Sequence, residues 1–264
     1  MNINKITVIL SLAILLVSCY LPNQPGPMPA GIDRIGKDVK TNVLGVIRND
    51  GQPGSSFIFL INCINIETND FEEKPNVHDA TVKLINLGNG KEISFYIDTA
   101  FSTDTIQYAK YINNDFIPQD NCKYLLKIEL PDSVTIVDTT IVPSKPVIVQ
   151  NDVKFEDNSI NMTYHPPENS AYSEFYFVPN ILNTEFLSVT HNGIDSLKIN
   201  IASTYPLNTI DSLTVLIYSF DEKYLRYQKT SRNLLNHVYN PIATTIEGAY
   251  GCFFSLSVGV YKVK

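Results

Sequence analysis

Short runs of alternating apolar and polar residues, rich in Val, Ile, Thr, Tyr and Phe, recur at intervals of roughly 8 to 12 residues along most of the chain. Asn, Asp, Gly and Pro separate these runs, which is typical of strands joined by turns. In Tyr124–Leu130 every second residue is apolar, so one face of this strand is predicted to be buried. The pattern predicts an all-β protein built from immunoglobulin-like or transthyretin-like β-sandwiches.

Two hairpins are predicted because Asn-Gly pairs, which accept the positive φ angles of two-residue turns, lie between alternating runs. The first covers Thr81–Ile97 and turns at Asn89-Gly90, and the second covers Phe186–Ile201 and turns at Asn192-Gly193. Further strands are predicted at Val43–Arg48, Phe57–Ile66, Tyr124–Leu130, Val134–Val142, Val147–Phe155, Ser159–Tyr164, Leu213–Tyr218 and Cys252–Tyr261.

One segment, near residues 221–236, departs from the period of two. Asp221 can cap a first helical turn, and acidic residues precede basic ones. The apolar side chains then fall close to one stripe of a helix; they are Tyr224, Tyr227, Leu234 and Leu235. The segment therefore predicts one short amphipathic helix within the β protein.

A domain boundary is predicted where Pro143 and Pro146 interrupt the ladder between two strand-like runs. We divide the body there into an N-terminal β-sandwich domain at residues 41–143 and a C-terminal β domain with the helix at residues 144–264. A single sandwich of about 200 residues is the alternative, because all-β units of that size occur.

The N-terminus has the features of a lipoprotein signal peptide. Lys5 precedes the apolar run Ile6–Val17, and a small residue precedes Cys19. The run is shorter than the roughly 20 apolar residues that cross a bilayer. We expect residues 1–18 to be removed and Cys19 to carry the lipid on its sulfur and its amine. Residues 19–40, rich in Pro and Gly, are then an extended tether.

The charge of the chain is negative, with a formal net value of −7 at pH 7. Because no run of Lys or Arg is present, the sequence gives no electrostatic footprint for nucleic acid. The sequence also lacks a nucleophile elbow, a zinc-protease motif, a phosphate-binding loop and a Cys-x-x-Cys pair. We therefore expect a protein that is not an enzyme, with no catalytic residues, no metal and no cofactor.

Three cysteines remain after Cys19, namely Cys63, Cys122 and Cys252. This odd number permits at most one bridge within the chain. Cys63 and Cys252 lie in apolar runs, which favours buried thiols that act as small hydrophobic residues. A single disulfide is the alternative.

Two further groups of residues have the chemistry of ligand sites. The loop Glu67–Lys74 holds several carboxylates, but their spacing matches no calcium-binding template, so a solvated acidic loop is favoured over a calcium site. Tyr164, Tyr172 and Tyr176 could stack against a sugar or a peptide. We favour core and edge aromatics of the second sandwich for these three residues.

A triplet of Asp, then Ser or Thr, then an apolar residue or Thr occurs more often than this composition predicts. The triplets resemble the acceptor motif of the general O-glycosylation system in Bacteroidota envelopes. The candidate acceptors are Thr99, Thr105, Ser133, Thr139, Ser196 and Ser212. The alternative is that Asp forms the turn and a β-branched residue opens the next strand.

Several segments follow one another in a distinctive order: Val43–Asp50 with Pro53-Gly54, Val77–Leu84, Tyr124–Leu130 with Thr139–Pro143, Ser219–Tyr227, Asn240-Pro241, and Ile246–Phe253. This order resembles Bacteroidota lipoproteins of the domain-of-unknown-function 4249 family. The absence of tryptophan and the pair Thr244-Thr245 depart from the family pattern. The resemblance implies an envelope lipoprotein of unknown activity, often encoded beside TonB-dependent outer-membrane receptors, with no catalytic residues to carry over.

From this resemblance we expect a non-enzymatic accessory or binding subunit of a TonB-dependent receptor, anchored in the outer membrane by its lipid. A surface adhesin or glycan-binding module, with an unidentified glycan or peptide ligand, is the alternative. Residues 20–23 lack the acidic cluster of a surface-export signal, so the periplasmic face is favoured over the cell surface. Gly248 and Gly251 are expected to make tight turns before the last strand.

Overall fold

The computed structural model describes residues 41–62, 77–99, 108–149, 153–156, 159–179, 187–191, 196–200, 212–231 and 246–263. The described part of the chain is mostly strand with one short α-helix, so the predicted all-β class is confirmed. The strands are β1 (Thr41–Asn49), β2 (Phe57–Asn62), β3 (Thr81–Asn86), β4 (Glu92–Ile97), β5 (Tyr108–Ile112), β6 (Lys123–Glu129), β7 (Thr135–Ile141), β8 (Val147–Ile148), β9 (Lys154–Glu156), β10 (Ser159–His165), β11 (Tyr172–Pro179), β12 (Leu187–His191), β13 (Ser196–Asn200), β14 (Leu213–Phe220) and β15 (Tyr250–Lys262). The helix α1 covers Glu222–Ser231, and a 3-10 turn covers Val77–Asp79.

A large sheet contains eleven of the described strands in the order β12-β11-β14-β15-β1-β2-β5-β4-β3-β6-β7. Strand β15 lies between β14 and β1, so it joins the early and the late strands of the chain in this sheet. Its first part pairs in parallel with β1, and its second part pairs antiparallel with β14. Sequence on both sides of Pro143 therefore contributes to the same sheet, and residues Val39–Lys264 form one unit.

A second sheet has the order β13-β10-β8, and β9 also pairs with β10. It packs over one end of the large sheet, because Ile160 and Met162 of β10 share an apolar cluster with Phe175 of β11 and Ile217 of β14. The segment between the prolines is fixed rather than loose, since the Ser257 hydroxyl donates to the Ser144 carbonyl at 2.7 Å.

Alternation decides which face of each strand enters the core. In β6, Tyr124, Leu126 and Ile128 are all buried, whereas the lysines and the glutamate between them are exposed or half-buried. This is the register that the period of two predicted. The buried set packs against β3 and the start of β15 in one apolar cluster.

Helix α1 lies against the face of the large sheet that is opposite to the cluster containing Tyr124, Leu126 and Ile128. Asp221 caps its first turn, as predicted. Tyr224 and Tyr227 pack with Phe254 and Leu256 of β15, which gives the helix its apolar side. Leu234 and Leu235, which were placed on the same stripe, lie outside the described residues.

The strand pairing of the first predicted hairpin is confirmed, but its loop has four residues, 87–90, rather than two, because the Asn86 N–H donates to the Lys91 carbonyl at 2.9 Å. Strands β3 and β4 pair antiparallel, and Gly90 in the connecting turn has a φ of 73°. The second predicted hairpin is wrong. Strand β12 pairs with β11, and β13 pairs with β10 in the other sheet, so the two strands flanking Asn192-Gly193 do not pair with each other. Alternation makes a strand suitable for a sheet, but it does not select the partner.

Candidate binding cleft beside the edge strand β7

A cleft of about 480 Å³ opens beside β7, the last strand at one end of the large sheet. Four parts of the chain form it: the start of β6, β7 itself, the turn before β11, and the first turn of α1. The lining residues are Lys123, Thr139, Thr140, Ile141, Asn169, Ser170, Ala171, Asp221, Glu222 and Lys223. Its volume falls within the range of about 300 to 1,000 Å³ that is usual for ligand pockets.

Asp221 is the buried polar centre of this cleft, with 4% of its surface exposed. One carboxylate oxygen accepts the backbone N–H of Tyr224 at 3.0 Å, and the other accepts the N–H of Ser255 at 3.3 Å and a bond from the Thr140 hydroxyl. Burial raises the pKa of Asp221 above its usual range, although these hydrogen bonds and the nearby Lys223 charge act in the opposite direction. The carboxyl group joins α1, β7 and β15.

Two hydroxyl groups extend this connection. The Thr140 hydroxyl lies 2.8 Å from the Ser255 hydroxyl oxygen, and Ser255 donates to the Ile141 carbonyl at 2.7 Å. Thr140 and Ser255 are both buried. The network holds the end of β7 in a fixed position against β15, since buried polar groups that are fully bonded resist displacement.

Charged side chains line the mouth of the cleft. Lys223 pairs with Asp138, whose carboxylate also accepts the Thr139 N–H at 2.7 Å, while Glu222 and Lys123 are exposed. The lining residues include no histidine or cysteine, and the one buried acid is bonded to backbone and hydroxyl groups.

The backbone of β7 is only partly paired on the side away from β6. Val137 makes an isolated bridge to Glu247, with N···O distances of 3.1 and 3.3 Å, so its backbone groups point away from β6. Because strand residues alternate in this direction, the backbone groups of Thr139 and Ile141 also point away from β6. The Thr139 N–H and the Ile141 carbonyl are bonded to side chains. Among the described residues, no group donates a hydrogen bond to the Thr139 carbonyl, and no group accepts one from the Ile141 N–H.

This pair of backbone groups has the spacing needed by one residue of a parallel strand. In parallel pairing, a residue donates its N–H to the carbonyl before its partner residue and accepts the N–H after it. The Thr139 carbonyl and the Ile141 N–H flank Thr140 in that way. The edge can therefore accept one residue of an extended chain, with its side chain beside the cleft.

The chain matches the family model of a domain of unknown function, DUF4249, over residues 41–262. The matched segment covers most of the chain and all of the described strands. The chain belongs to the DUF4249 family. The membership of the DUF4249 family that the order of sequence segments predicted is thereby confirmed. A comparison with curated proteins finds no match.

Solved structures similar to this DUF4249 chain are immunoglobulin and fibronectin type III proteins. Three fibronectin domains of chicken CNTN1 match with 11% identity and a TM-score of 0.24, over 83% of this chain and 65% of that one. Two fibronectin type III domains of chicken tenascin match with 13% identity and a TM-score of 0.25, over 85% and 99%. A cytokine receptor complex matches with 6% identity and a TM-score of 0.31, over 84% and 94%.

The three tyrosines considered for ligand stacking do not form a platform. Tyr164 is 1% exposed and lies 2.5 Å from the Ser173 hydroxyl, and Tyr172 is 2% exposed and stacks on Phe220 with ring centroids 5.0 Å apart. The stacking role is therefore wrong for Tyr164 and Tyr172, because core packing covers their rings. Tyr176 is half-buried and donates to Glu174 at 2.8 Å.

The candidate glycosylation residues differ in accessibility. Thr99 and Ser133 are exposed, and Ser133 has a φ of 67° in the turn between β6 and β7. Thr139 and Ser212 are half-buried. Ser196 begins β13, and Thr105 lies outside the described residues. The predicted lipidation residue, Cys19, also lies outside them. At Asp132, the side chain accepts the Val134 N–H at 3.4 Å, which agrees with the turn-forming interpretation of that triplet.

Other candidate residues in this DUF4249 member are placed as follows. Cys252 is completely buried, Cys122 is half-buried, and both are thiols, whereas Cys63 and the acidic loop Glu67–Lys74 lie outside the described residues. Within the described ranges, no group of three or more His, Cys, Asp or Glu side chains is arranged to hold a metal ion. None of the helices described has the length and apolar character needed to cross a membrane.

Proposed function

We propose that this protein is a non-enzymatic binding subunit of the bacterial outer membrane, anchored through lipid on Cys19, that receives an extended segment of a TonB-dependent receptor at the edge of β7. The observation that carries the proposal is the pair formed by the Thr139 carbonyl and the Ile141 N–H beside the cleft. Main-chain bonds of this kind supply affinity, and the adjacent cleft supplies specificity for a side chain. The periplasmic face of the membrane is the favoured location.

The rigidity of this edge supports a binding role. Thr140, Asp221 and Ser255 fix β7 against α1 and β15 before any partner arrives. A partner segment would therefore lose its own conformational freedom, while the receiving strand would lose little. The bridge to Glu247 limits the open edge to its C-terminal part, so a short segment fits better than a long strand.

Replacing Ile141 with proline tests the role of this edge. Proline removes the N–H of Ile141, which is not part of the ladder with β6, and prolines are tolerated on edge strands at such positions. We expect I141P to lose at least tenfold in recovery of a TonB-dependent receptor, because the parallel contact loses its donor. The measurement is affinity capture of the tagged, lipidated protein from detergent-solubilised membranes of the source bacterium, followed by quantitative mass spectrometry.

The matched control is Ile141→Val, which keeps the backbone donor and a β-branched side chain. We expect I141V to recover the receptor at the level of the unchanged protein. Denaturation curves of both variants establish that the fold is retained. Equal receptor recovery by folded I141P and I141V would exclude the edge of β7, and recovery of the lipoprotein alone in all samples would refute the stable complex.

If the Asp-Ser/Thr triplets are glycosylated, we expect the glycans at Thr99 and Ser133 rather than at Thr139. Both favoured hydroxyls are exposed, whereas Thr139 is half-buried in β7 at the wall of the cleft. Intact-mass analysis of protein from its native host should show one glycan lost in each of Thr99→Ala and Ser133→Ala. Retention of the full glycan mass by both variants, or a loss of glycan confined to Thr139→Ala, would contradict this expectation.

A further inference from the structure

A second cleft, of about 430 Å³, lies at the opposite end of β6 from the Asp132 turn. The β3–β4 turn and the segment between β5 and β6 form its walls. Its lining combines amide side chains with aromatic rings. The lining includes Asn89, Tyr96, Asn113, Asp115, Phe116 and Gln119.

The aromatic part of this cleft has a buried floor and an exposed rim. Phe116 is 6% exposed and packs edge-to-face on Phe95 and Tyr124, with ring centroids 5.6 and 5.7 Å apart. Tyr96, in contrast, is 68% exposed. A large aromatic side chain with two thirds of its surface in water offers a ring face to a ligand at little cost of reorganisation.

Hydrogen bonds between side chains and the backbone hold the polar walls in place. Some polar groups of these side chains are not used in such bonds. Asn113 donates to the Ser94 carbonyl at 2.8 Å and accepts the Asp115 N–H at 2.9 Å. The Asn89 side-chain oxygen accepts the Lys91 N–H at 3.0 Å. The Gln119 backbone N–H donates to the Tyr124 hydroxyl at 3.1 Å. These contacts fix the loops in one conformation, which reduces the entropy lost on binding.

Three polar groups at the cleft are available to a ligand. The side-chain NH₂ groups of Asn89 and Gln119 and the carboxylate of Asp115 make no bond to any residue that the structure describes, and all three side chains are exposed. The NH₂ groups are donors, and the carboxylate is an acceptor. A ligand that fits must therefore supply both acceptors and donors, together with an apolar face for Tyr96.

Charge restricts the ligand further. Asp115 and Lys91 contribute opposite charges to the lining, and Glu92, which also lies there, is paired with Lys83 at 2.9 Å. A cleft without a dominant sign of charge gives no long-range attraction for a polyanion or a polycation. Neutral sugar rings meet these requirements, since each ring carries hydroxyl groups around its edge and C–H groups on its faces.

We propose that this cleft binds a neutral oligosaccharide, with one sugar ring against Tyr96 and its hydroxyl groups bonded to Asn89, Asp115 and Gln119. The site is distant in sequence from the tyrosines first considered for stacking, Tyr164, Tyr172 and Tyr176, and it is independent of the receptor contact proposed at β7. It would give the protein a ligand of its own.

The experiment is isothermal titration of the full-length lipidated protein in a sugar-free zwitterionic detergent. The probes are the hexasaccharides of cellulose, laminarin, amylose, xylan and mannan, with oligogalacturonate as the charged counterpart. We expect at least one neutral hexasaccharide to bind. We expect Tyr96→Ala and Asp115→Ala each to weaken that binding about tenfold or more, and Tyr96→Phe to stay within about twofold.

The matched control is Val260→Ala, which removes another exposed apolar side chain, 64% accessible, on β15. Its affinity should equal that of the unchanged protein. The proposal is overturned if no neutral hexasaccharide binds, if only oligogalacturonate binds, or if Y96A and V260A retain the same affinity. Denaturation midpoints of all variants exclude loss of fold as the cause.

Discussion

Replacement of Gly251 by alanine should destabilise the protein by about 3 kcal/mol or more. Gly251 has a φ of 108°, a conformation that residues with a side chain rarely adopt. An added Cβ would lie 2.0 Å from the Val43 carbonyl oxygen and 2.6 Å from the Asn42 side-chain oxygen. Because Val43 pairs with Gly251 in the parallel β1–β15 ladder, relief of the clash requires separation of these strands. Urea denaturation followed by circular dichroism measures the change in unfolding free energy.

Gly90→Ala is the matched control for this substitution. Gly90 also has a positive φ, 73°, but no atom lies within 4 Å of its added Cβ. We expect a cost of about 1 kcal/mol, from the backbone conformation alone. The difference between the two variants isolates the close approach of β1 to β15. A G251A variant no less stable than G90A would show that these strands do not meet as described.

Local patterns in the sequence identified most strands of this fold. The alternation in Tyr124–Leu130 predicted both β6 and its buried face, and Asn89-Gly90 predicted the first hairpin, because each depends on neighbouring residues. Strand β5 was not predicted. Strand β11 was considered for its aromatic residues rather than as a strand. The rings of Tyr164 and Tyr172 lie in the core, which is the placement that the sequence analysis favoured over ligand stacking.

Pairing between distant segments could not be obtained in the same way. The second hairpin was wrong because Asn192-Gly193 indicates a reversal of the chain, whereas the partner of each strand depends on the whole sheet. The same limit applies to the cleft beside β7. Asp221 was correctly predicted as a helix cap, but its contact with Thr140, 81 residues away, depends on the sheet order.

Asp221 is the residue whose removal should most affect the network beside β7. We expect Asp221→Ala to cost about 2 to 4 kcal/mol, because the helix loses its cap while the Thr140 hydroxyl and the Ser255 N–H lose a buried acceptor. Asp221→Asn keeps an acceptor oxygen for the cap but turns an NH₂ group toward the Ser255 N–H, so it should cost about 1 to 2 kcal/mol. Glu222→Ala, at the exposed neighbouring position, should change stability by less than about 0.5 kcal/mol.

Titration of Asp221 gives a separate test with a defined sign. Burial is the main cause of its raised pKa in the folded protein, so the folded state binds more protons than the unfolded state between the usual value, 3.8, and the raised value. The stability due to this group is therefore complete below the usual pKa, and it is lost as the pH rises through the folded pKa. Asp221→Asn removes the titration.

The quantity to measure is the unfolding free energy of the unchanged protein minus that of D221N, from urea denaturation at a series of pH values. Other titrating groups are shared by the two proteins and largely cancel in this difference. We expect the difference to fall as the pH rises above the usual carboxyl range. A difference that rises with pH would mean that hydrogen bonds and Lys223 outweigh burial, so that Asp221 is held as a carboxylate in the folded protein.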